Sequence, residues 1–475
     1  MCRKITLLSV FLFSSLFALA QVEKDFSLEN VVELGLPIIE ITTKDGKEPT
    51  CEYIAPPEGC IGSGITNAVK IEGRVRVLKN GKPIFDSGIF EKGKAGMKIK
   101  IRGNSSALAD KKAFKIKLEK KADLLMRENK KQHEDKNWVL LKNDVLSLNT
   151  LIGFKMDKLL NRGWSPSGKY VNVMFNGDYR GIYMLAESIE RNAESRINVD
   201  KKTGYIIEED PYWWNEEKHL DKGYLESSFL NYMRYTFKYP NDKDLTPKQQ
   251  EEIQADVIKM EKAIENGSYQ DEIDVRSFAL WLLAHDILGD KDSAGSNMYL
   301  TKYDNTANSL FQMGPLWDFD VILTTEEDWA RIHNEYYFDL LFKSSNKTFF
   351  NTYNNLIANE AKQIIGNMVA FLKDYSTTEE YKGLEKSYPM DWKRWENARY
   401  YGKGKPLDIT LQNAITWFQK RGATLNKLWE TSLGIKEVSK DKAQSDDAYY
   451  NIMGQRIQPN AKGIVIHKGR KLYKR

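Results

Sequence analysis

Asp292, Asn297 and Asp318 have the residue types and the spacing to do chemistry in this sequence. The apolar segment WLLAHDILG runs into the acidic turn Asp290-Lys291-Asp292, and Asn297 follows Asp292 by five positions, at the head of Met298-Tyr299-Leu300. A second apolar run, Met313 to Leu316, ends in Trp317-Asp318-Phe319-Asp320. An unpaired charge is costly to bury where a hydrophobic strand ends. Hard oxygen ligands are expected there when a divalent cation or a phosphate transfer needs them. In phosphoryl-transfer sites an Asp accepts the proton of the acceptor hydroxyl and an Asn five positions on binds metal. A later Asp-Phe element then holds the Mg²⁺ that bridges the nucleotide phosphates. Asp292, Asn297 and Asp318 follow that order and its first spacing, with Asp320 as a second carboxylate in reach. The bland alternative is a set of loop acids, since Asp and Asn form turns readily.

The elements that must position these residues divide into a β-rich half and a helical half, an α+β chain. Val32 to Thr43 reads as a strand, and Asn80-Gly81 between alternating runs marks a hairpin. MKIKI at 97–101 is a strand that enters the turn Arg102-Gly103-Asn104-Ser105-Ser106, and Phe114 to Leu118 is the next strand. A glycine-containing polar turn between lysine-bearing strands can fold over phosphates with its backbone N–H groups, while a strand lysine reaches the phosphate oxygens. Taken alone, the same stretch reads more readily as a plain hairpin with solvated lysines. Asp144 to Leu160 has helical spacing, and a second hairpin surrounds Asn176-Gly177-Asp178. Gly204 to Glu208 is a strand ending in acids. Thr246-Pro247-Lys248-Gln249 is a capping box with proline at the first helical position, and Ser277 to Leu288 is a buried helix. From Tyr336 to Leu433 most segments are helical, with aromatic and leucine stripes that belong to a core.

The chain of 475 residues is 41% hydrophobic and 12% aromatic, ample for a well-buried core. The net charge of +5 is too balanced for a nucleic-acid partner, and no basic stripe interleaves with aromatics. Residues 1–20 read as a secretory signal peptide: Arg3 and Lys4, an apolar run, then Ala18-Leu19-Ala20. No later stretch is long enough to span a membrane. This predicts a protein without a transmembrane segment after cleavage, exported to the periplasm, cell surface or exterior. The boundaries are a β-rich unit over 21–210, a helical unit over 211–434, a polar linker over 435–448, and a short β tail over 449–475 as a candidate sorting segment. Cys51 and Cys60 could close one loop as a disulfide or stay free thiols.

Arg102-Gly103-Asn104-Ser105-Ser106 with KKAFKIKL, then NWVLLKND, NGDYRGIYMLAESIE, GDKDSAGSN and PLWDFD, together resemble the spore-coat protein H (CotH) kinase family over about Leu36 to Leu433. The resemblance implies a two-lobed, protein-kinase-like fold that uses ATP and Mg²⁺, or Mn²⁺, to phosphorylate Ser or Thr of exported or surface proteins. By the same implication Asp292 is the catalytic aspartate, Asn297 a metal ligand, and Asp318 the Mg²⁺ aspartate with Asp320 beside it. The Arg102–Ser106 turn covers the nucleotide, and Lys117, Lys115 or Lys112 pairs its phosphates. Lys115 and Lys117 share one face of a strand, which leaves the choice between them open. Glu187 is placed near the inter-lobe connection, close to the adenine. Two departures stand out. No His-Arg precedes Asp292 and no glycine follows Phe319, and the helix over 144–160 offers Asp157 but no glutamate for the lysine.

Other readings remain in play. One is a secreted, coat-like scaffold that keeps the fold without activity, since ATP is scarce outside the cytoplasm. Others are a sugar-nucleotide transferase using Asp318-Phe319-Asp320 as a D-x-D, and a structural calcium loop. The transferase lacks a parallel βαβ pattern, and the calcium loop lacks EF-hand spacing. There is no P-loop, H-E-x-x-H or G-x-S-x-G signature. The five histidines are scattered, and His285 falls in the apolar helix as a core residue.

Overall fold

The computed structural model describes residues 26–432 except 67, 129, 143–146, 221–222, 226–233, 294 and 400, and in the tail residues 449–450, 456–458, 463–467 and 470–474. The expected signal peptide, the linker and the start of the helix at Asp144 lie outside these residues.

The chain is α+β, strand-rich first and helical later. The strands in order are β1 (Ile38–Thr43), β2 (Glu52–Ile54), β3 (Gly64–Thr66), β4 (Ile71–Lys79), β5 (Lys82–Asp86), β6 (Met97–Arg102), β7 (Ala113–Ala122), β8 (Asp135–Lys142), β9 (Gly168–Phe175) and β10 (Asp178–Glu187). One sheet runs β1-β9-β10-β8-β7-β6-β4-β5, and β1 also pairs with β4, so the sheet closes into a barrel with β5 outside the ring. The closing pair is antiparallel, Ile38 opposite Leu78 through Thr43 opposite Gly73. On its other side β1 lies parallel to β9, Ile39 opposite Val173.

Strict alternation fills the barrel. Ile99, Ile101, Phe114, Ile116, Trp138, Leu140, Val173 and Leu185 point inward and are buried in one cluster. Side chains that alternate with them must face out, and these include the lysines of β6 and β7. Lys98 pairs in register with Lys117, and Lys100 with Lys115. Asn80 and Gly81 both take positive φ (52° and 73°), as do Asn176 and Gly177 (51° and 82°), which is the backbone that tight two-residue hairpins require.

A second, four-stranded sheet has the order β12-β11-β13-β14, built from β11 (Tyr205–Asp210), β12 (Arg234–Tyr239), β13 (Met298–Lys302) and β14 (Gln312–Met313). The helices are α1 (Leu28–Val32), α2 (Asn149–Leu160), α3 (Pro247–Asn266), α4 (Val275–Leu288), α5 (Tyr336–Lys343), α6 (Thr348–Leu356), α7 (Lys362–Tyr375), α8 (Glu379–Trp395) and α9 (Leu407–Ser432). The capping box of α3 forms as the sequence predicts: Thr246 Oγ1 accepts the Gln249 N–H while the Gln249 side chain accepts from the Thr246 backbone. Residues up to 426 make one compact unit, and residues 427–475, with a four-stranded sheet in the tail, make a second.

Among the described residues no helix is long and apolar enough to cross a membrane. Cys51 and Cys60 are free thiols rather than a disulfide.

Candidate functional site

Helix α4 carries the acidic turn. Asp274 caps its first turn by accepting the Ser277 N–H at 3.0 Å, and Gly289, at φ 57°, ends it in the left-handed region. The next residue, Asp290, is only 2% exposed. One of its carboxylate oxygens faces His285 Nδ1 at 3.0 Å, and the other accepts the Asp292 N–H at 2.9 Å. His285 is therefore more than core filling: it fixes Asp290, and Asp290 fixes the backbone of Asp292.

The second acidic loop returns to the same place. Asn297 Nδ2 lies 3.3 Å from Asp318 Oδ2 and 2.9 Å from Ser296 Oγ. Asn297 and Asp318 both hold positive φ, 60° and 63°. Backbone strain of this kind persists where the surroundings over-determine it, and it concentrates at functional sites. The Asp318 side chain is exposed and opens on a cleft. The protein atoms crowded around it in the cleft, then the neighbouring Asp320, push its carboxyl up to about 7, with Asp292 and Asp290 adding to the shift and Arg102 opposing it. The Asp292 carboxyl is also raised, by burial first and then by Asp290. Four acids separated by up to thirty positions in sequence thus feel one another's charge.

The cleft they share has a volume of about 780 Å³. Its lining brings together Arg102, Gly103, Asn104, Ser106 and Lys115 with Asp292, Asn297, Asp318 and Asp320. Gly103 has φ 98°, and a Cβ there would sit 2.2 Å from Ser106 Oγ, so the turn needs glycine. Ser105 belongs to the same turn, and its side chain lies outside the described residues.

Three expected residues stand elsewhere. Lys117 is exposed on the outer strand face and is not part of the cleft lining. Lys112 donates to the Ala107 carbonyl at 2.9 Å. Glu187, expected beside the adenine, is instead 1% exposed. It pairs with Arg127 at 2.7 Å and Arg196 at 2.8 Å and accepts the Ser167 N–H at 2.8 Å. A carboxylate so fully engaged serves the barrel's end rather than the cleft.

Sequence reading missed several residues. Lys115 has a glutamate partner after all, Glu190 at 3.2 Å, which Asn137 also holds at 2.6 Å. It comes from the segment after β10, not from helix α2. Lys142, at the end of β8, lines the cleft beside Lys70 and Lys100. Burial draws the Lys142 ammonium down to about 8 against the opposing pull of Asp320 and Asp318. The one signal for it in sequence was a lysine closing the apolar run WVLL. The end of β11 adds Glu208 and Asp210, with Lys238 bonded to Glu208.

Among the described residues no three His, Cys, Asp or Glu side chains converge as a preformed metal cage. Two carboxylates and an amide within reach, with mutual repulsion still to be neutralised, nonetheless fit Mg²⁺. That ion is commonly held by one or two carboxylates while substrate phosphates and water fill the remaining positions.

Fold and cleft together define an α+β protein in which a lysine-bearing barrel face opposes a carboxylate cluster. The family described as CotH kinase protein matches residues 99–425, well over half of the chain, and the chain belongs to this family. Comparison with curated proteins finds no match.

Proposed function

We propose that the protein is an exported phosphotransferase that moves the γ-phosphoryl group of ATP to Ser or Thr hydroxyls of exported or cell-surface proteins, with Mg²⁺ or Mn²⁺. The observation that carries this reading is the 3.3 Å approach of Asn297 to Asp318 in a cleft that Asp292 shares. The barrel is read as the counterpart of a kinase N-lobe and the helices as its C-lobe. Export rests on the leader over 1–20.

In this reading the cation, when bound, neutralises charge on the phosphate oxygens. Asn297, Asp318 and Asp320 would hold it. Lys115, steadied by Glu190, and Lys142 would face the phosphates with Arg102, while the turn at 102–106 covers them. Asp292, its backbone pinned by Asp290, would orient the acceptor hydroxyl and take its proton as the hydroxyl oxygen bonds to the γ-phosphorus and the bond from that phosphorus to the β,γ-bridging oxygen breaks, releasing ADP. A carboxyl raised above its ordinary range is better suited to accept that proton.

The test is label transfer from ATP to a generic protein acceptor by the full mature chain, beside Asp292→Ala and Asp318→Ala. Loss of a general base is expected to lower the rate roughly 10²–10⁴-fold. Equal label in all three samples would remove the assignment, and no thermal shift with millimolar ATP would favour the scaffold.

A further inference from the structure

Helix α2 touches the loop that carries Asp318 at four places. Asp157 Oδ1 accepts the Leu316 N–H at 3.2 Å and an Arg162 Nη2 hydrogen at 3.0 Å. Arg162 donates onward to the Met313 carbonyl at 2.9 Å and the Gly314 carbonyl at 3.1 Å. Asn149 Nδ2 lies 3.4 Å from the Asp320 carbonyl oxygen. Between these, the Phe319 ring lies against Gly153 so closely that a Cβ there would stand 2.2 Å from it. Phe154 meets Phe319 edge-on at 5.8 Å and Trp317 at 5.7 Å between ring centroids. Asp157 and Phe319 are each 2% exposed.

These contacts bracket Asp318 on both sides. No glycine follows Phe319, so the backbone has no residue that would swing freely there. Moving Phe319 out would leave a buried cavity, and moving Leu316 would strand buried donors and a buried carboxylate.

We propose that Gly153, Asp157 and Arg162 are positioning residues that hold the Asp318 loop as a fixed platform for the cation, ordered before any ligand arrives. The bracing stands on geometry alone, and its consequence for the cation rests on the phosphotransferase reading.

Hydrogen exchange on the full mature chain tests the first part. The peptide spanning 314–320 should be protected without cation or nucleotide, and adding Mn²⁺ with a non-hydrolysable ATP analogue should barely change it. Exchange as fast as an unstructured peptide, slowed only by those ligands, would overturn the proposal. Gly153→Ala is the sharpest variant because alanine favours a helix more than glycine, so any loss comes from displacing Phe319. It should release protection at 314–320 while exchange in β6 to β8 stays unchanged, and Asp157→Asn should do so more weakly. Protection unchanged in both variants would overturn the proposal. Mn²⁺ affinity, followed by electron paramagnetic resonance, should fall about 10–100-fold in Gly153→Ala, as when outer-shell partners are removed. An unchanged affinity would overturn the platform role. If the wild-type chain binds no Mn²⁺ but its 314–320 protection depends on Gly153, the phosphotransferase reading fails and the brace stands.

Discussion

Asp318 is the residue on which the proposed cation chemistry bears most directly. Its carboxyl is pushed up to about 7 by the protein atoms crowded around it and by Asp320, so at the proposed site proton and cation would compete for it in the neutral range. The sign follows: below about 7 the proton wins more of the site, and above it the ionised carboxylate is available. Apparent Mg²⁺ affinity should therefore rise by up to tenfold per pH unit between about 5 and 7, then level off. Calorimetric titration across that range checks it, and a flat profile would remove Asp318 from the ligand set. The same shift makes the ligand-free fold lose stability as pH rises from the ordinary carboxylate range through about 7, because the folded state holds the proton longer than the unfolded one. Asp318→Asn should flatten that trend in thermal melts taken without cation. Lys115 offers a second test. Glu190→Gln removes the charge that steadies it, and KM for ATP should rise several-fold with little change in melting temperature, since the pair is partly exposed and contributes about 0–1 kcal/mol.

At the scale of elements, helix α4 is the part that turns sequence into geometry. Its last turn supplies His285, its left-handed cap supplies the bend, and Asp290 passes that order to Asp292. His285→Phe should keep the ring packing on Trp281, whose centroid is 4.1 Å away, while leaving Asp290 without its partner. A buried polar group left unsatisfied costs about 1–3 kcal/mol, so denaturant unfolding should register a loss of that order. Catalysis should suffer in kcat more than in KM for ATP, because what moves is the Asp292 backbone. Equal kcat would mean that the histidine only packs. Strands β6 and β7 act differently: their alternation makes one side barrel core and the other a lysine field, so a single binary pattern builds the fold and charges the cleft.

For the whole molecule, the barrel and the later helices are locked by a pair that no local pattern hints at. Lys111 and Asp391, 280 positions apart, meet at 2.8 Å with side chains 1% and 3% exposed. The same Asp391 oxygen accepts the Ile182 N–H at 2.7 Å, and its other oxygen takes the Tyr401 hydroxyl. This docks α8 against β10. Gly181, at φ 89°, leaves room for it, because a Cβ would sit 1.9 Å from that carboxylate. Asp391→Ala removes the carboxylate that a buried ammonium, a backbone donor and a hydroxyl share, and should destabilise by about 3–5 kcal/mol. Denaturation of the variant checks this. A loss under about 1 kcal/mol would show that water replaces the pair.

Much of this protein was legible in the sequence because its information is local. Turn dipeptides specify hairpins, two-residue alternation specifies strands with an oily side, a capping box starts a helix, and acids at the ends of apolar runs mark a polar cleft. Those signals picked out Asp292, Asn297, Asp318, Asp320 and Lys115, which the fold gathers along one cleft. They could not close the barrel, since the β1–β4 pairing joins segments by a register that many other strand pairs would also satisfy. Nor could they assign partners: Glu187 and Glu190 lie three positions apart, yet one is bound to two arginines inside the barrel's end and the other holds Lys115 at the cleft. Which charge meets which depends on the three-dimensional path of the chain, and Coulomb interactions within a few ångströms respond only to that.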